Sequence, residues 1–245
     1  MRLLNPELDI DAVRRAFARD RFVVVPDFLD TATARLLHGT LRGPVPWEFW
    51  SRGDRGTAVV APECWATMTD DARAALVPPP PTSVDRFHFA YERITPDTRS
   101  ADAGIRTLGG FVDALNGSGY LELMRHLAGD ERVNKVDGAF SRYRRGHYLS
   151  PHTDANKDQV RLVAHVIGLT PVWEEHWGGT LTLCTPAGTP EAIVPPRFNT
   201  LVLFEVPRWH FVSPVQAHAS RYSFFGWLVE RNLEVGSTDA TRVLG

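Results

Sequence analysis

Short β-rich segments recur through the second half of the chain, and they constrain the fold more than any other feature. Gly, Pro and Asn turns separate the segments, which lie at 136–143, 162–169, 180–183, 198–204, 211–215 and 222–229. Strands this short and this closely spaced are typical of β-sandwiches and barrels. The second half therefore predicts a jelly roll or a related β-sandwich.

The first half has helical periodicity. Ile10, Val13 and Phe17 recur at three- and four-residue spacing, as on the apolar face of an amphipathic helix. The segment 43–81 is rich in Pro, Gly and Trp, and we expect irregular surface there with one short helix at 70–76. The remaining expected elements are helices at 9–20, 31–41 and 105–128, the last broken at 116–119, and strands at 22–25 and 86–93. The fold class is therefore α+β, with helices stacked on one side of a sheet.

Length and composition favour one globular domain. The chain has 245 residues, 43% of them hydrophobic, which suits a single core. We expect one domain over 1–245, with a helical and irregular part (1–132) before the jelly-roll core (133–230).

Charge and residue usage exclude several classes of partner. The formal net charge is -2, so no basic field would hold nucleic acid. No apolar run reaches the 18 to 20 or so residues that span a membrane, and the N-terminus does not read as a signal peptide. Cys64 and Cys184 fit no metal or redox spacing, which favours the cytoplasm. The oligomeric state is left open.

The segment RRGHYLSPHTD, residues 144–154, holds a candidate metal pair. On extended chain, His152 and Asp154 project from the same face and can converge on one ion. Imidazole and carboxylate without thiolate suit Fe(II), Mn(II) or Zn(II). Alone the pair is weak evidence, because a turn capped by Asp154 is the alternative.

Three later residues strengthen the metal hypothesis. His210 begins a later strand, Arg221 follows 11 residues on, and Ser223 shares the face of Arg221. A 2-oxoglutarate oxygenase needs three protein ligands on one face of iron, with the other positions free for 2-oxoglutarate and O2. It also needs a cation for the far carboxylate, and the planar fork of arginine matches a carboxylate.

These motifs resemble the 2-oxoglutarate and iron(II)-dependent dioxygenase superfamily, in its prolyl-hydroxylase-like branch. The resemblance runs from RFVVVPDFLD through FHFAYER and is close over 139–228. It implies a double-stranded β-helix core with the N-terminal and central helices packed on one sheet. It also implies that His152, Asp154 and His210 are the catalytic metal ligands, and that Arg221, Tyr143 and, less strictly, Ser223 bind 2-oxoglutarate.

The resemblance implies hydroxylation of an unactivated C–H bond with release of succinate and CO2. The substrate would be an amino acid, free or in a peptide, with proline favoured. Asp154 supports hydroxylation, because related halogenases replace this carboxylate with a small residue. The alternatives are an inactive jelly-roll binding module, desaturation or cyclisation of a small metabolite at the same site, and a zinc enzyme, which would leave Arg221 without a purpose.

The other histidines are assigned by their neighbours. His165 lies among apolar residues and is expected in the core or behind the metal ligands, whereas His147, His176 and His218 are expected at the surface. Trp227 shares the face of Arg221 and is a candidate for the pocket wall. The cluster of Arg142, Arg144 and Arg145 is either a solvated face or a site for an acidic substrate.

Overall fold

A curled antiparallel sheet runs through both halves of the chain in the computed structural model, which describes residues 2–83 and 85–231. Its strands are β1 (Phe22–Val25), β2 (Glu48–Gly53), β3 (Gly56–Val60), β4 (Phe89–Ile94), β5 (Lys135–Tyr143), β6 (Tyr148–His152), β7 (Val160–Gly168), β8 (Leu181–Cys184), β9 (Pro190–Val194), β10 (Thr200–Glu205), β11 (His210–Val212) and β12 (Arg221–Glu230). They pair in the order β1-β10-β7-β12-β5-β4-β6-β11-β8-β9, and β2 joins β3 to β4. The expected α+β jelly roll is confirmed.

Six α-helices of the described residues accompany the sheet. They are α1 (Ile10–Asp20), α2 (Thr31–Arg42), α3 (Pro62–Thr67), α4 (Asp70–Ala75), α5 (Ala103–Leu115) and α6 (Ser118–Ala128), and a 3-10 turn spans Glu175–Trp177. Asp9, Asp30 and Asp102 cap α1, α2 and α5, because each carboxylate accepts a hydrogen bond from a backbone N–H of the first turn. The helices expected in the first half are therefore present. None of the described helices is long and apolar enough to cross a bilayer.

The main core lies between the long helices and one face of the sheet. Phe17, Leu37 and Met124 from the helices join Phe140 and Phe224 from β5 and β12 in one buried cluster. A second, smaller cluster lies inside the curled sheet and contains Tyr143, Ala164 and Phe204. Because side chains alternate along a strand, one face of β5, β7 and β12 supports the helices while the other lines the interior of the jelly roll.

The segment 43–81 is more ordered than expected. It contains the β2–β3 hairpin and the helix α3 in addition to the expected short helix α4. β3 is exposed on both faces up to Val59, so it has none of the hydrophobic alternation that marks a half-buried strand. The turn residues Asp54 and Arg55 between Gly53 and Gly56 were the available signal for a hairpin.

Two further strands were not expected, and several of the expected ones begin or end a few residues from the predicted position, as β11 does at Val212 instead of residue 215. The unexpected strands are β6 and β9, and both are short, with a proline in each. β4 begins at Phe89 rather than near residue 86. Proline lowers the strand signal, which explains why these two strands were missed.

β4 lies between β5 and β6, so a strand from the first half completes the sheet of the second half. Its Glu92 is fully buried, accepts a 2.9 Å hydrogen bond from Trp65 Nε1 and forms ion pairs with Arg142 and Arg144. One carboxylate thus pairs with two of the three clustered arginines, and the third, Arg145, donates to His218.

Candidate metal and cosubstrate site

His152, Asp154 and His210 meet at the open end of β6 and β11. His152 ends β6 and His210 begins β11, and their Cα atoms are paired across the two antiparallel strands. Asp154 follows β6 by two residues, with Oδ1 3.4 Å from His152 Nε2 and Oδ2 3.4 Å from His210 Nε2. One ligand atom from each residue lies within 4.8 Å of the others, a spacing that suits a shared metal ion.

Backbone carbonyls orient both imidazoles. His152 Nδ1 lies 3.0 Å from the carbonyl oxygen of Ser150, and His210 Nδ1 lies 2.8 Å from that of Arg208. A carbonyl oxygen only accepts, so each Nδ1 must carry the hydrogen and donate it. This assigns the lone pair to Nε2 in both residues, facing Asp154, which is the arrangement of a metal-binding histidine.

The protonation states of Asp154 and His210 also suit metal binding. Burial alone would raise the pKa of Asp154, but the close contact with His152 and the positive charge that either histidine carries when it is protonated lower the pKa to about 2. Burial, together with the neighbouring His152, lowers the pKa of His210 to about 4. At neutral pH the carboxylate is therefore ionised and His210 is neutral, as a metal ligand must be.

Arg221 is a buried guanidinium at the start of β12. It is 5% exposed, and burial lowers its pKa. Its Nε has no hydrogen-bond partner, and among the described residues Arg221 forms no ion pair with a carboxylate. Because an unpaired buried charge is costly, this arginine requires an anion from outside the chain.

Tyr143 and Ser223 surround Arg221. Tyr143 is the Cα partner of Arg221 on β5, and the Arg221 guanidinium carbon lies 5.0 Å from the centre of its ring. Burial raises the pKa of Tyr143, so its hydroxyl stays protonated and can donate a hydrogen bond. Ser223 Oγ lies 2.8 Å from Ser141 Oγ on the neighbouring strand, so the hydroxyl of Ser223 has an internal partner.

One cavity of about 440 Å³ joins these groups. Its wall contains the three candidate metal ligands, Arg221, Tyr143, Ser223 and Trp227. The donor set of two imidazoles and one carboxylate fits Fe(II), and the unpartnered Arg221 in the same cavity fits the distal carboxylate of 2-oxoglutarate.

Sequence reasoning missed several residues of the cavity. Phe87 and Phe204 flank the metal ligands, with ring centres 4.5 Å from His152 and 4.7 Å from His210. Arg52 and Arg161 also line the cavity. The parity of β7 could have identified Ala164 and Val166 as lining residues, but nothing in the sequence brings Arg52 of β2 and Arg161 of β7 to the same cavity.

Two of the remaining histidines are buried and do not lie at the surface. His147, expected at the surface, is buried at 3% exposure against the ring of Phe49, because the Arg144–Gly146 turn folds it under the β2–β4 part of the sheet. His165 is fully buried on the helix side of β7 and bonds the hydroxyl of Tyr120, so it belongs to the core. His176 and His218 are exposed as expected.

A family model matches the part of the chain that holds all six candidate residues. Residues 138–229 match the model described as the 2OG-Fe(II) oxygenase superfamily. No curated protein matches the chain significantly.

Solved structures share the fold. A Pseudomonas putida prolyl-4-hydroxylase is 20% identical, with a TM-score of 0.56, covering 91% of this chain and 100% of its own. A Trichoplax adhaerens prolyl hydroxylase, solved with a hypoxia inducible factor peptide, is 19% identical, with a TM-score of 0.53 over 90% and 89% of the two chains. The non-heme alpha ketoglutarate dependent epimerase SnoN from nogalamycin biosynthesis is 14% identical, with a TM-score of 0.51 over 95% and 93%. One fold therefore serves more than one reaction.

Proposed function

Because residues 138–229 match the model of the 2OG-Fe(II) oxygenase superfamily, we propose that the protein is a member of it and hydroxylates an unactivated C–H bond of an amino acid. The enzyme class is a 2-oxoglutarate-dependent dioxygenase with Fe(II) as metal and 2-oxoglutarate as cosubstrate. The amino acid is free or within a peptide, with a proline-like ring favoured. For each substrate oxidised, O2 and 2-oxoglutarate are consumed, and succinate and CO2 are released.

A single observation carries the proposal: a convergent set of two histidines and one aspartate shares its cavity with a buried arginine that forms no ion pair among the described residues and whose Nε has no hydrogen-bond partner. Catalysis would require both groups at once, one for the metal and one for the cosubstrate. A zinc hydrolase has no use for the arginine, and a binding module that has lost catalysis has no use for the metal ligands.

In this proposal, His152 and His210 bind the metal through Nε2 and Asp154 binds it through its carboxylate. The Ser150 and Arg208 carbonyls hold the imidazoles in the required orientation before any metal arrives. Bound Fe(II) supplies the redox chemistry by which O2 and 2-oxoglutarate oxidise the substrate. The rings of Phe87 and Phe204 cover the histidines on two sides and restrict the access of bulk water.

Arg221 binds the distal carboxylate of 2-oxoglutarate in this proposal. Its planar fork donates two parallel hydrogen bonds, and the surrounding apolar side chains strengthen them by excluding water. Tyr143 donates its hydroxyl hydrogen to the same cosubstrate. Ser223 contributes less, because its hydroxyl already has a partner in Ser141.

The amino acid substrate rests on the shared fold of the prolyl hydroxylases named above and on the apolar part of the cavity wall. Phe87, Phe89 and Tyr91 form a continuous aromatic series, with neighbouring ring centres 5.3 Å apart. The faces of such rings accept an aliphatic ring or chain through apolar contact.

We also propose a single oxygenase domain over 1–245 and a cytoplasmic location. The main buried cluster combines residues from both halves of the chain, from Phe17 to Leu228, which supports one folding unit. Both cysteines are free thiols, which suits a reducing compartment.

A screen of free amino acids and peptides tests the function. We expect one group of compounds to stimulate succinate release from 2-oxoglutarate in the presence of Fe(II), and mass spectrometry to show a gain of one oxygen in that compound. Asp154→Ala should lose the stimulation, and Asp158→Ala, an exposed aspartate in the same loop, should keep it. Stimulated release without a gain of oxygen would overturn hydroxylation, and no iron-dependent succinate release at all would overturn the oxygenase assignment.

A further inference from the structure

Two arginines line the cavity in addition to Arg221. Arg52 belongs to β2 and Arg161 to β7, so they reach the cavity from different parts of the sheet. Neither forms an ion pair with a carboxylate within 4.0 Å among residues 2–83 and 85–231. Neither guanidinium is therefore neutralised by direct contact with a carboxylate, although Asp154 and Asp137 lie close enough to Arg161 to attract it electrostatically.

The contacts of Arg161 hold it in place without neutralising it. Its guanidinium carbon lies 3.5 Å from the centre of the Trp227 ring, and Nη1 donates to the backbone carbonyl of Asp154 at 3.3 Å. Nε lies 3.5 Å from the side-chain oxygen of Gln159. A guanidinium supported on an aromatic face, with its remaining N–H groups free, is preorganised to bind an anion.

The hairpin turn positions Arg52 and leaves it unpaired. Asp54, two residues further along, accepts from Arg86 at 2.6 Å and lies 3.1 Å from His88 Nε2, so its charge is directed away from Arg52. The Cα partner of Arg52 on β4 is Phe89, which lies in the cavity wall. Arg52 is exposed and stands at the cavity mouth.

With metal and cosubstrate bound, the charges in the site balance without the two arginines. This step rests on the proposed function: the two positive charges of Fe(II) and the one on Arg221 balance the two carboxylates of 2-oxoglutarate and that of Asp154. Arg161 is half-buried in the cavity wall, where electrostatic attraction is stronger than in water, and Arg52 adds a second, exposed positive charge at the cavity mouth. A substrate with a negative charge would restore the balance.

We propose that Arg52 and Arg161 bind a carboxylate of the substrate, so that the enzyme acts on small free acids and not on a residue inside a neutral peptide. The planar guanidinium matches a carboxylate with parallel hydrogen bonds. The aromatic wall of Phe87, Phe89 and Tyr91 then contacts the hydrocarbon part of the same molecule. An amino acid with a free carboxylate satisfies both requirements.

A relaxation experiment measures this preference without turnover. The protein is loaded with Mn(II), which prefers the same kind of ligands, and with saturating 2-oxoglutarate so that Arg221 is occupied. The ¹⁹F relaxation of trifluoroacetate is then compared with that of trifluoroacetamide, its neutral analogue of similar size. Paramagnetic enhancement reports how often each probe resides near the metal.

We expect trifluoroacetate to show an enhancement about threefold to tenfold greater than the amide, which is less than a buried charge-assisted hydrogen bond would give because Arg52 is exposed. Arg52→Gln and Arg161→Gln should each reduce the difference, and the double variant should abolish it. Arg52→Lys and Arg161→Lys should retain part of it, which separates charge from packing. Arg145→Gln, which changes an arginine outside the cavity, should leave it unchanged.

The outcomes separate this inference from the proposed function. Equal enhancement of the two probes, or a preference that survives in the double variant, overturns the carboxylate site and leaves the oxygenase intact. A screening hit without any negative charge, turned over equally well by Arg52→Gln, also overturns it. Protein that binds no Mn(II), shown by unchanged water proton relaxation, overturns the proposed function and this inference with it.

Discussion

His152 and His210 are cross-strand partners, with their Cα atoms paired between β6 and β11 and their imidazole centres 4.2 Å apart. The pairing of the backbone, rather than the metal, therefore brings these two ligands together. Asp154 lies beyond the end of β6, on the loop, and is the ligand whose position depends least on the sheet.

Replacing Asp154 should remove metal binding without unfolding the protein. We expect Asp154→Ala to weaken Mn(II) or Fe(II) binding by at least about 100-fold, because even residues behind metal ligands change affinity by 10- to 100-fold. Binding is measured by Mn(II) electron paramagnetic resonance. Asp158→Ala is the matched control, and equal affinity of the two variants would contradict the assignment.

Replacing Arg221 should weaken 2-oxoglutarate binding. Two charge-assisted hydrogen bonds are lost in Arg221→Gln, so we expect a dissociation constant about 100-fold higher. The visible charge-transfer band of anaerobic Fe(II) protein titrated with 2-oxoglutarate measures the constant. Tyr143→Phe should give a smaller increase, and Arg125→Gln on α6, outside the cavity, none. An Arg221→Gln protein with unchanged affinity would show that the cosubstrate binds elsewhere.

Acid should destabilise the metal-free protein through its buried histidines. Burial lowers the pKa of His165 to about 4 and that of His147 to about 3. Below about pH 6.5 the unfolded chain therefore binds more protons than the folded one. The contribution of these neutral histidines to the free energy of unfolding is fully present above that pH and is lost as the pH decreases. From about pH 7.5 to about pH 5 we expect each histidine to contribute a loss of about 2 kcal/mol in the free energy of unfolding.

Urea unfolding with a chelator present measures this slope. His165→Gln should have a lower free energy of unfolding at neutral pH, and this free energy should depend less on pH because one buried histidine is gone. His176→Gln, at an exposed position, should keep the full pH dependence. An unchanged slope in His165→Gln would mean that this imidazole is already protonated in the folded protein or reaches solvent.

Replacing Glu92 should destabilise the sheet. Glu92→Gln leaves the guanidinium groups of Arg142 and Arg144 without their carboxylate, and breaking a buried ion pair from one side costs about 3 to 5 kcal/mol. Glu48→Gln on the neighbouring strand is the control, because its contact with Trp50 is only partly buried. Chemical denaturation compares the two, and equal stabilities would show that solvent replaces the lost carboxylate.

Replacing Asp54 should loosen the β2–β3 hairpin and leave the rest of the fold unchanged. In Asp54→Ala, Arg86 and His88 lose their shared partner, so we expect faster hydrogen exchange of the hairpin amides with little change in global stability. Asp85→Ala is the nearby control. Unchanged exchange across 48–60 would show that strand pairing with β4 alone holds the hairpin.

The predicted elements and candidate residues illustrate which features the sequence can specify. Residues two apart on one strand share a face, so His152 with Asp154 and Arg221 with Ser223 could be grouped from their spacing alone. The capped helices α1, α2 and α5 also follow from local signals, because their boundaries depend on a nearby carboxylate and on apolar periodicity.

Features that depend on distant pairing were not predictable. Arg52 and Arg161 are 109 positions apart in the chain and meet only because the sheet curls. His147 has polar and basic neighbours in sequence, yet the fold buries it against Phe49. Local propensity contains no information about which distant strand will cover a residue.

The insertion of β4 between β5 and β6 has a consequence for dissecting the protein. A fragment limited to the segment 133–230 would expose the unpaired edges of both neighbouring strands and would be prone to aggregate. During translation β4 is synthesised before β5 and β6, so the strand with which both of them pair is already present when they leave the ribosome. Deletion from the N-terminus is therefore a poor route to a minimal catalyst because it removes β4, whereas new loops can be grafted onto the sheet without removing this strand.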